Sequence, residues 1–346
     1  MPDLSPFVSI ILPCRNEEKF IAGCLDSIIS SDYPGERLEV LVVDGMSEDG
    51  SREILARYTE RCNFIRMLEN KKKITPCAFN LGIKNAKGDI IIIMGVHAVY
   101  SEDYISKCVK YLRDYNADNV GGVMITVPRE NTLKGKAIAQ ALSHRFGVGN
   151  STFRTGAREP VFVDTVFGGC YKKEVFEQIG LFNERLARSQ DIEFNMRLSK
   201  SGGRILLMPD IVCIYYAHSD FMPLLRHNWN NGVWAMLPLA DSPIMPVSWR
   251  HFVPLAFIST LICSALFSLF LPVFVNLLLF VASCYLLAVI YFSYKIGSDR
   301  KDMRLLFIEP MVFASLHISY GLGSLWGAMR LLILKRFWRY RVFKNL

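Results

Sequence analysis

Three apolar runs in this 346-residue chain end in groups that can bind or transfer something. FVSIIL (7–12) gives way to Pro13-Cys14-Arg15-Asn16-Glu17-Glu18, and LEVLVV (38–43) to Asp44-Gly45-Met46-Ser47-Glu48-Asp49-Gly50. A third, GDIIIIMGVH, ends in Gly95-Val96-His97 with no carboxylate among them. A carboxylate at a strand end, such as Asp44, can accept from a nucleobase N–H or a ribose hydroxyl; an Asp-Gly pair also forms turns unaided. Neither G-x-G-x-x-G nor G-x-x-x-x-G-K-[ST] follows the first run, which excludes the dinucleotide and P-loop chemistries. His144 and His218 are isolated histidines along the chain and read as structural. The nine cysteines form no C-x-x-C pair and suit reduced thiols rather than a metal or disulfide framework.

These groups need a scaffold that brings strand ends together. Between the first two runs, Phe20, Ile21, Cys24, Leu25, Ile28 and Ile29 recur at helical spacing, with Asn16 placed as an N-cap. Strand, helix, strand in so short a stretch is a βαβ unit, so the second strand should run parallel to the first. The pattern repeats with a helix from about 50, a short strand near Phe64-Ile65, a helix over 76–86 and the isoleucine strand. A helix over 102–115 and a strand over Val120–Val127 follow. The first half is thus an open α/β sheet, mostly parallel, with helices on both faces, where ligands bind at the carboxyl ends of strands. Further on, 171–179 and 190–200 read as helices, and 204–216 as a strand pair broken by Pro209.

The apolar content of 51% and a mean hydropathy of +0.24 direct attention to the membrane. Residues 252–271 and 273–294 carry no charge and are each about long enough to span a bilayer. A third apolar segment, 305–329, is interrupted by Glu309, Pro310 and His317, which predicts a broken or re-entrant element. Trp229, Trp234 and Trp249 suit a lipid–water interface. A tail from Arg330 to 346 is basic, with Lys335, Arg336, Arg339, Arg341 and Lys344, as expected of an anchor on anionic lipid rather than a nucleic-acid patch. The expected division is a domain over 1–220, interfacial linker helices over 221–251 and a membrane region over 252–346. MPDLSPFVSIILPC lacks the basic and long apolar regions of a secretory signal, which predicts a cytoplasmic location for the first domain.

VSIILPCRNEE followed by VLVVDGMSEDGS resembles the inverting nucleotide-sugar glycosyltransferases of family 2, with the GT-A fold. NADNVGGVM, GVGNSTFRTG, VDTVFGGCYKKEVFEQIGLFNERL, SQDIEFNMRL and SWRHFVPLAF narrow the likeness to membrane-associated succinoglycan-type enzymes of exopolysaccharide assembly. The resemblance implies that Pro13, Arg15, Asn16 and Glu17 line the nucleotide pocket and that Asp44 holds the base, with Ser47 and Asp49 in the same loop. Asn80 and Gly82 match a segment bordering the donor sugar and diphosphate. Asn80 could equally cap a turn, and Asp49 the helix from Ser51. Gly168 and Gly169 would admit close approach of backbone to the donor sugar, while Asp164 and Arg154 resemble positions on the acceptor side.

An inverting transfer needs one carboxylate within hydrogen-bond reach of the acceptor hydroxyl. The family carries a Glu-Asp pair whose Asp is the base; here the pair is Gln190-Asp191, so Asp191 inherits the role, and the lost charge at Gln190 predicts easier ionisation of Asp191. The family also ends the isoleucine strand in Asp-x-Asp or Asp-x-His, whose acid ligates Mg²⁺ or Mn²⁺ on the diphosphate. Here that position is Gly95 and only His97 remains, a weak metal ligand by itself. Three readings follow: a metal held mainly by diphosphate, water and His97; Lys72, Lys73 or Arg15 as fixed cations in its place; or a protein without turnover that serves as a scaffold in a polysaccharide assembly complex. The implied partners are a nucleotide sugar, with a UDP-sugar first among them, a polyprenyl-diphosphate-linked saccharide and membrane lipids. The implied place is the cytoplasmic (inner) membrane, with the catalytic domain facing the cytoplasm. A polyprenyl-phosphate glycosyltransferase is the alternative enzyme.

Overall fold

The computed structural model describes residues 5–240 and 248–334. The chain begins with β1 (Val8–Cys14), α1 (Ile21–Ile29), β2 (Leu38–Asp44), α2 (Ser51–Arg61), β3 (Ile65–Glu69), α3 (Thr75–Asn85) and β4 (Ile90–Ile93). Next come β5 (Ala98–Tyr100), α4 (Tyr104–Asp114), β6 (Asn119–Pro128), α5 (Leu133–Ser143), α6 (Arg145–Val148), α7 (Thr152–Thr155) and β7 (Val161–Phe162). They are followed by β8 (Gly169–Lys172), α8 (Glu174–Ile179), α9 (Gln190–Lys200) and β9 (Ile205–Ala217). The remaining helices are α10 (Phe221–Met236), α11 (Val253–Phe267), α12 (Val273–Asp299) and α13 (Leu305–Leu334). Packing gathers residues up to Ile125 with Thr152–Tyr216 into one unit, and Thr126–Ser151 with the chain from Ala217 onward into a second.

The strand order of the sheet is β3-β2-β1-β4-β8-β6-β9-β5, with β7 on β9. One helix separates each consecutive pair from β1 to β4, the crossover that parallel neighbours require. Accordingly β1 runs parallel to both β2 and β4, and β2 to β3. The register sets Cys14 beside Asp44 and Ile11 beside Ile93, so the carboxyl ends of β1, β2 and β4 share one edge of the sheet. Beyond β4 the sheet turns antiparallel: β8 pairs with β4 and β6, while β5 and β7 pair with β9. The α/β architecture is present, with its parallel part confined to the first four strands. All four isoleucines of β4 are buried; Ile10 and Ile92 pack with α1 and α4 on one face, and Ile11 and Ile91 with α3 and α9 on the other.

Three local expectations are corrected. Asn16 does not cap α1, whose N-cap is Phe20; Asn16 instead adopts φ 55° and is bonded into the β2 loop. Residues 171 and 172 end a strand, Gly169–Lys172, rather than start a helix, because that stretch pairs with β4 on one side and β6 on the other. Pro209 does not divide 204–216. It lies inside β9 between the stretch paired with β7, at Leu206 and Leu207, and the stretch paired with β5, at Cys213–Tyr215. Neither pairing needs the missing proline N–H there.

In the second unit, α10 and α13 pack backbone against backbone. A Cβ on Gly232 would overlap the Tyr320 carbonyl, and one on Gly323 the Trp229 carbonyl. Small residues at such crossings let apolar helices approach closely. Glu309-Pro310 does not break α13: Pro310 sits in its second turn, forfeits only the bond to the Leu306 carbonyl, and the helix continues to Leu334. Among the described residues three helices, Trp249–Phe267, Val273–Asp299 and Leu305–Ile333, are long and apolar enough to cross a membrane. Leu269, Phe270, Phe280 and Leu287 expose large apolar side chains, as lipid contact would require. The basic tail beyond Leu334 lies outside the described residues. All nine cysteines are free; seven are buried in the first unit, whereas Cys263 of α11 and Cys284 of α12 are exposed.

Ile92 is wholly buried at the centre of the parallel strands. Ile92→Ala should cost about 2–5 kcal/mol of stability, read by denaturant unfolding of the detergent-solubilised chain.

Candidate active site

The loops after β1 and β2 are laced together by short polar side chains. Asp44 is fully buried and accepts from the Ser47 N–H at 3.2 Å and the Ser47 hydroxyl at 2.6 Å, while Arg52 Nε stands 3.3 Å away. Ser47 Oγ in turn accepts from the Asn16 N–H at 2.9 Å, and Asn16 Oδ1 from the Glu48 N–H at 2.9 Å. Asp49 accepts from the N–H groups of Glu18 and Ser51, and Ser51 Oγ from the Glu17 N–H at 2.7 Å. Asn16, Asp44, Ser47 and Asp49 are thus drawn into one network. Arg15 is exposed beside it, packed on Gly45, and half-buried Pro13 lies past the last β1–β4 pair, at Ile11. Asp44 is both the turn former and a buried acid at the sheet edge; its oxygens have four lone-pair directions for partners.

The end of β4 is rigid. Tyr100, buried, accepts from the Gly95 N–H at 2.7 Å and donates to the Gly95 carbonyl at 3.1 Å. His97 points its Nε2 at Glu17 Oε1, 3.0 Å away, with its ring edge-on to Phe20 at 4.9 Å. A Cβ built on Gly95 would stand 3.2 Å from the Phe167 ring, so a side chain here would have to press the ring aside. The donor set here is one imidazole and the carboxylate it already contacts. No cluster of three His, Cys, Asp or Glu able to hold a metal occurs among the described residues. A hard divalent ion prefers several oxygens, and these residues do not fit one.

The second half of the site hangs on β8 and α9. Gly168 has φ 68°, and a Cβ there would overlap the Ile93 carbonyl; Gly169 has φ 121° and pairs with Ile93. Both glycines are therefore required where β8 meets β4. The Tyr171 hydroxyl reaches Asn195 Oδ1 at 3.1 Å, Asn195 donates to Thr165 Oγ1 at 2.9 Å, and Asn119 donates to Asn195 at 3.1 Å. Phe194 stacks on Phe182 at 4.3 Å and Phe176 at 5.2 Å, while Arg197 donates to the carbonyls of Ile179 and Leu181. These contacts fix α9. Its first turn carries half-buried Asp191, close enough to Tyr171 for its charge to disfavour the tyrosinate. Burial pushes the Asp191 carboxyl above the ordinary value of 3.8, against the pull of the Ile192 N–H. The lost charge at Gln190 predicts easier ionisation; burial acts the other way and prevails. Gln190 Oε1 is buried with no hydrogen-bond partner among the described residues. Ser189, just before it, holds a left-handed φ of 59°.

Asn80 lies in α3 and staples the segment before α9. Its Oδ1 accepts from the Phe182 N–H at 2.9 Å, and its Nδ2 donates to the Phe182 carbonyl at 2.9 Å and to Glu184 at 3.1 Å. Glu184 also holds Lys72 at 2.6 Å, and Lys73 stands 3.8 Å from Glu48. The Lys72 ammonium, with the Asn80 amide, keeps the Glu184 carboxyl down at about 2. Two of the three cations considered from the sequence are therefore neutralised by acids. Asp164 is half-buried beside Thr165. Arg154 lays its guanidinium on Phe153 and Tyr215, 5.6 Å from each ring centroid. The Tyr215 ring stands 6.4 Å from His97 and 5.9 Å from Phe167. Phe167, Glu184, Arg188 and Tyr215 escape a reading of the sequence, since each acts through neighbours distant along the chain; only the FNERL segment signals Glu184.

A model of Glycosyl transferase family 2 matches residues 9–180. A relative from Methanococcus voltae, Dolichyl N-acetyl-alpha-D-glucosaminyl phosphate 3-beta-D-2,3-diacetamido-2,3-dideoxy-beta-D-glucuronosyltransferase, is 33% identical over 65% of this chain and 72% of its own. Succinoglycan biosynthesis protein ExoA of Rhizobium meliloti is 30% identical over 71% of this chain and 80% of its own. The chain belongs to glycosyl transferase family 2. Among solved structures, the mannosyltransferase PcManGT from Pyrobaculum calidifontis, in complex with GDP-Man and Mn²⁺, matches with a TM-score of 0.62 at 23% identity. The match covers 94% of this chain and 88% of PcManGT. That likeness establishes the GT-A fold.

In this family 2 chain the Asn80 staple is structural in its contacts. Asn80→Ala would strand the buried Phe182 N–H and should cost about 1–3 kcal/mol. Thermal melting checks this, alongside Asn80→Asp, which retains the acceptor but places an acid beside Glu184 and should recover only part.

Proposed function

We propose that this chain is an inverting glycosyltransferase. It moves one sugar from a nucleotide sugar, a UDP-sugar first among them, to a saccharide carried on a polyprenyl diphosphate. The observation that carries the reading is Asp191: a half-buried carboxyl, fixed by α9 next to Tyr171 and the Gly168-Gly169 junction with β4. The loops capping β1 and β2 hold the nucleoside, with Asp44 toward the base. The acceptor hydroxyl gives its proton to Asp191 as its oxygen attacks the anomeric carbon. The bond from that carbon to the nucleoside diphosphate breaks on the opposite face, and its electron pair leaves with the phosphate. The orphan Gln190 Oε1 accepts from a sugar hydroxyl in the same pocket.

The lipid-linked acceptor rests on the three spanning-length helices and on the Methanococcus relative, whose name gives a dolichyl phosphate-linked sugar as its acceptor. The ExoA relative supports a role in exopolysaccharide or other surface-glycan synthesis. We place the catalytic part, 1–220, on the cytoplasmic face of the cytoplasmic membrane, where nucleotide sugars are found. Residues 221–251 lie at the interface and 252–346 in or on the bilayer.

Asp191→Asn should lower transfer by about 10²–10⁴-fold while leaving nucleoside diphosphate binding within about twofold, measured with purified protein in lipid; wild-type transfer by this variant would sink the assignment. Because burial raises the Asp191 carboxyl and the base works ionised, the acidic limb of the kcat profile should fall above pH 3.8.

A further inference from the structure

We propose that Arg154 supplies the positive charge for the leaving diphosphate, in the place where the fold otherwise uses a divalent ion; this rests on the transferase reading above. Three observations converge on it. The acid position at the end of β4 is Gly95, where a Cβ would already press on the Phe167 ring at 3.2 Å. The Phe167 ring meets Tyr215 at 5.9 Å, and Tyr215 carries the Arg154 guanidinium at 5.6 Å, so two rings in contact link the cation to the position of the missing acid. Arg154 Nη1 is buried and has no hydrogen-bond partner among the described residues. A buried guanidinium without an anion is costly to the fold, and ligand phosphate oxygens would satisfy it.

The surroundings agree. Burial works against the charge on Arg154, and the groups that act on it are Tyr215 and Cys213, neither of them a carboxylate. Arg188, from the segment leading into α9, lies within electrostatic reach of the same Tyr215 phenol and adds a second positive charge there. Lys72 and Lys73 face Glu184 and Glu48, so neither offers an uncompensated charge. The leaving group gains negative charge as the anomeric bond breaks, and a planar fork of N–H donors fits phosphate oxygens in pairs. Tyr215 and Phe153 set their rings beside the guanidinium, 5.6 Å to each centroid, and neither supplies it with an anion.

Binding of UDP, GDP and uridine to the full-length protein, with excess EDTA or with Mg²⁺, tests this. Wild-type protein should bind one of the two diphosphates equally in both conditions. Arg154→Met should weaken that binding by about ten- to a hundredfold and leave uridine unchanged, with Arg154→Lys between them. The melting temperature of the ligand-free Arg154→Met protein should hold or rise, since a buried unpartnered charge has gone; a purely structural arginine would give a fall. Diphosphate binding abolished by EDTA, or unchanged in Arg154→Met, overturns the proposal while leaving the transferase reading intact. Loss of farnesyl diphosphate binding alone in Arg154→Met moves the arginine to the acceptor and overturns it too. Failure of wild-type protein to bind either UDP or GDP rejects the transferase reading and this inference together.

Discussion

Gly168 sits so close to the carbonyl of Ile93 that no side chain fits between them, and its positive φ carries the chain straight into β8. This contact joins the parallel half of the sheet to the antiparallel half. On one side of it lie the loops that cap β1 and β2; on the other, α9 and its acid follow from β8 through a short helix and a loop. Were that approach looser by the width of a methyl group, Tyr171 would lose its place on Asn195, and the aromatic packing of Phe176, Phe182 and Phe194 would lose its floor. The spacing between the loops that cap β1 and β2 and the start of α9 is thus set by backbone, not by flexible side chains.

The two halves use different physics. Around Asp44 the network is made of short side chains bonding to backbone N–H groups, which fixes loop shape at small cost in side-chain entropy. Around Asp191 the support is apolar and aromatic, and Gln190 Oε1, Arg154 Nη1 and Asn119 Oδ1 are buried there without hydrogen-bond partners among the described residues. Native proteins rarely leave such atoms unmatched unless something else fills the need. In a sugar-transferring enzyme, hydroxyls and phosphates are the groups to fill it.

Much of this was legible in the sequence, for identifiable reasons. The βαβ repeats announce themselves because β-rich runs alternate with helical periodicity over short distances, and the start of α9 at Gln190 is read correctly because its apolar positions recur at helical spacing. Local pattern fails where distant partners decide. Residues 169–172 carry no strand signal strong enough to overcome the helical look of 171–179, yet two strands compete to pair with them. Pro209 suggests a break only until the pairing with β7 and with β5 is seen to fall on either side of it. Asn16 is a plausible cap by type, but a loop more than thirty residues away claims its side chain. The gap at Gly95 is visible in the sequence, whereas the Phe167 ring beside it and the arginine that Tyr215 carries are not. Their juxtaposition is made by folding.

The seven cysteines of the first unit are enclosed, and burial holds Cys14 and Cys213 near 12, far from forming thiolates at neutral pH. Cys263 and Cys284 alone are open to their surroundings, on helices whose length suits a bilayer. Nature has therefore left two chemical handles in the apolar helices and silenced the others. A thiol-directed label applied to the unaltered protein reports on where those helices reside, with no cysteine first having to be engineered away.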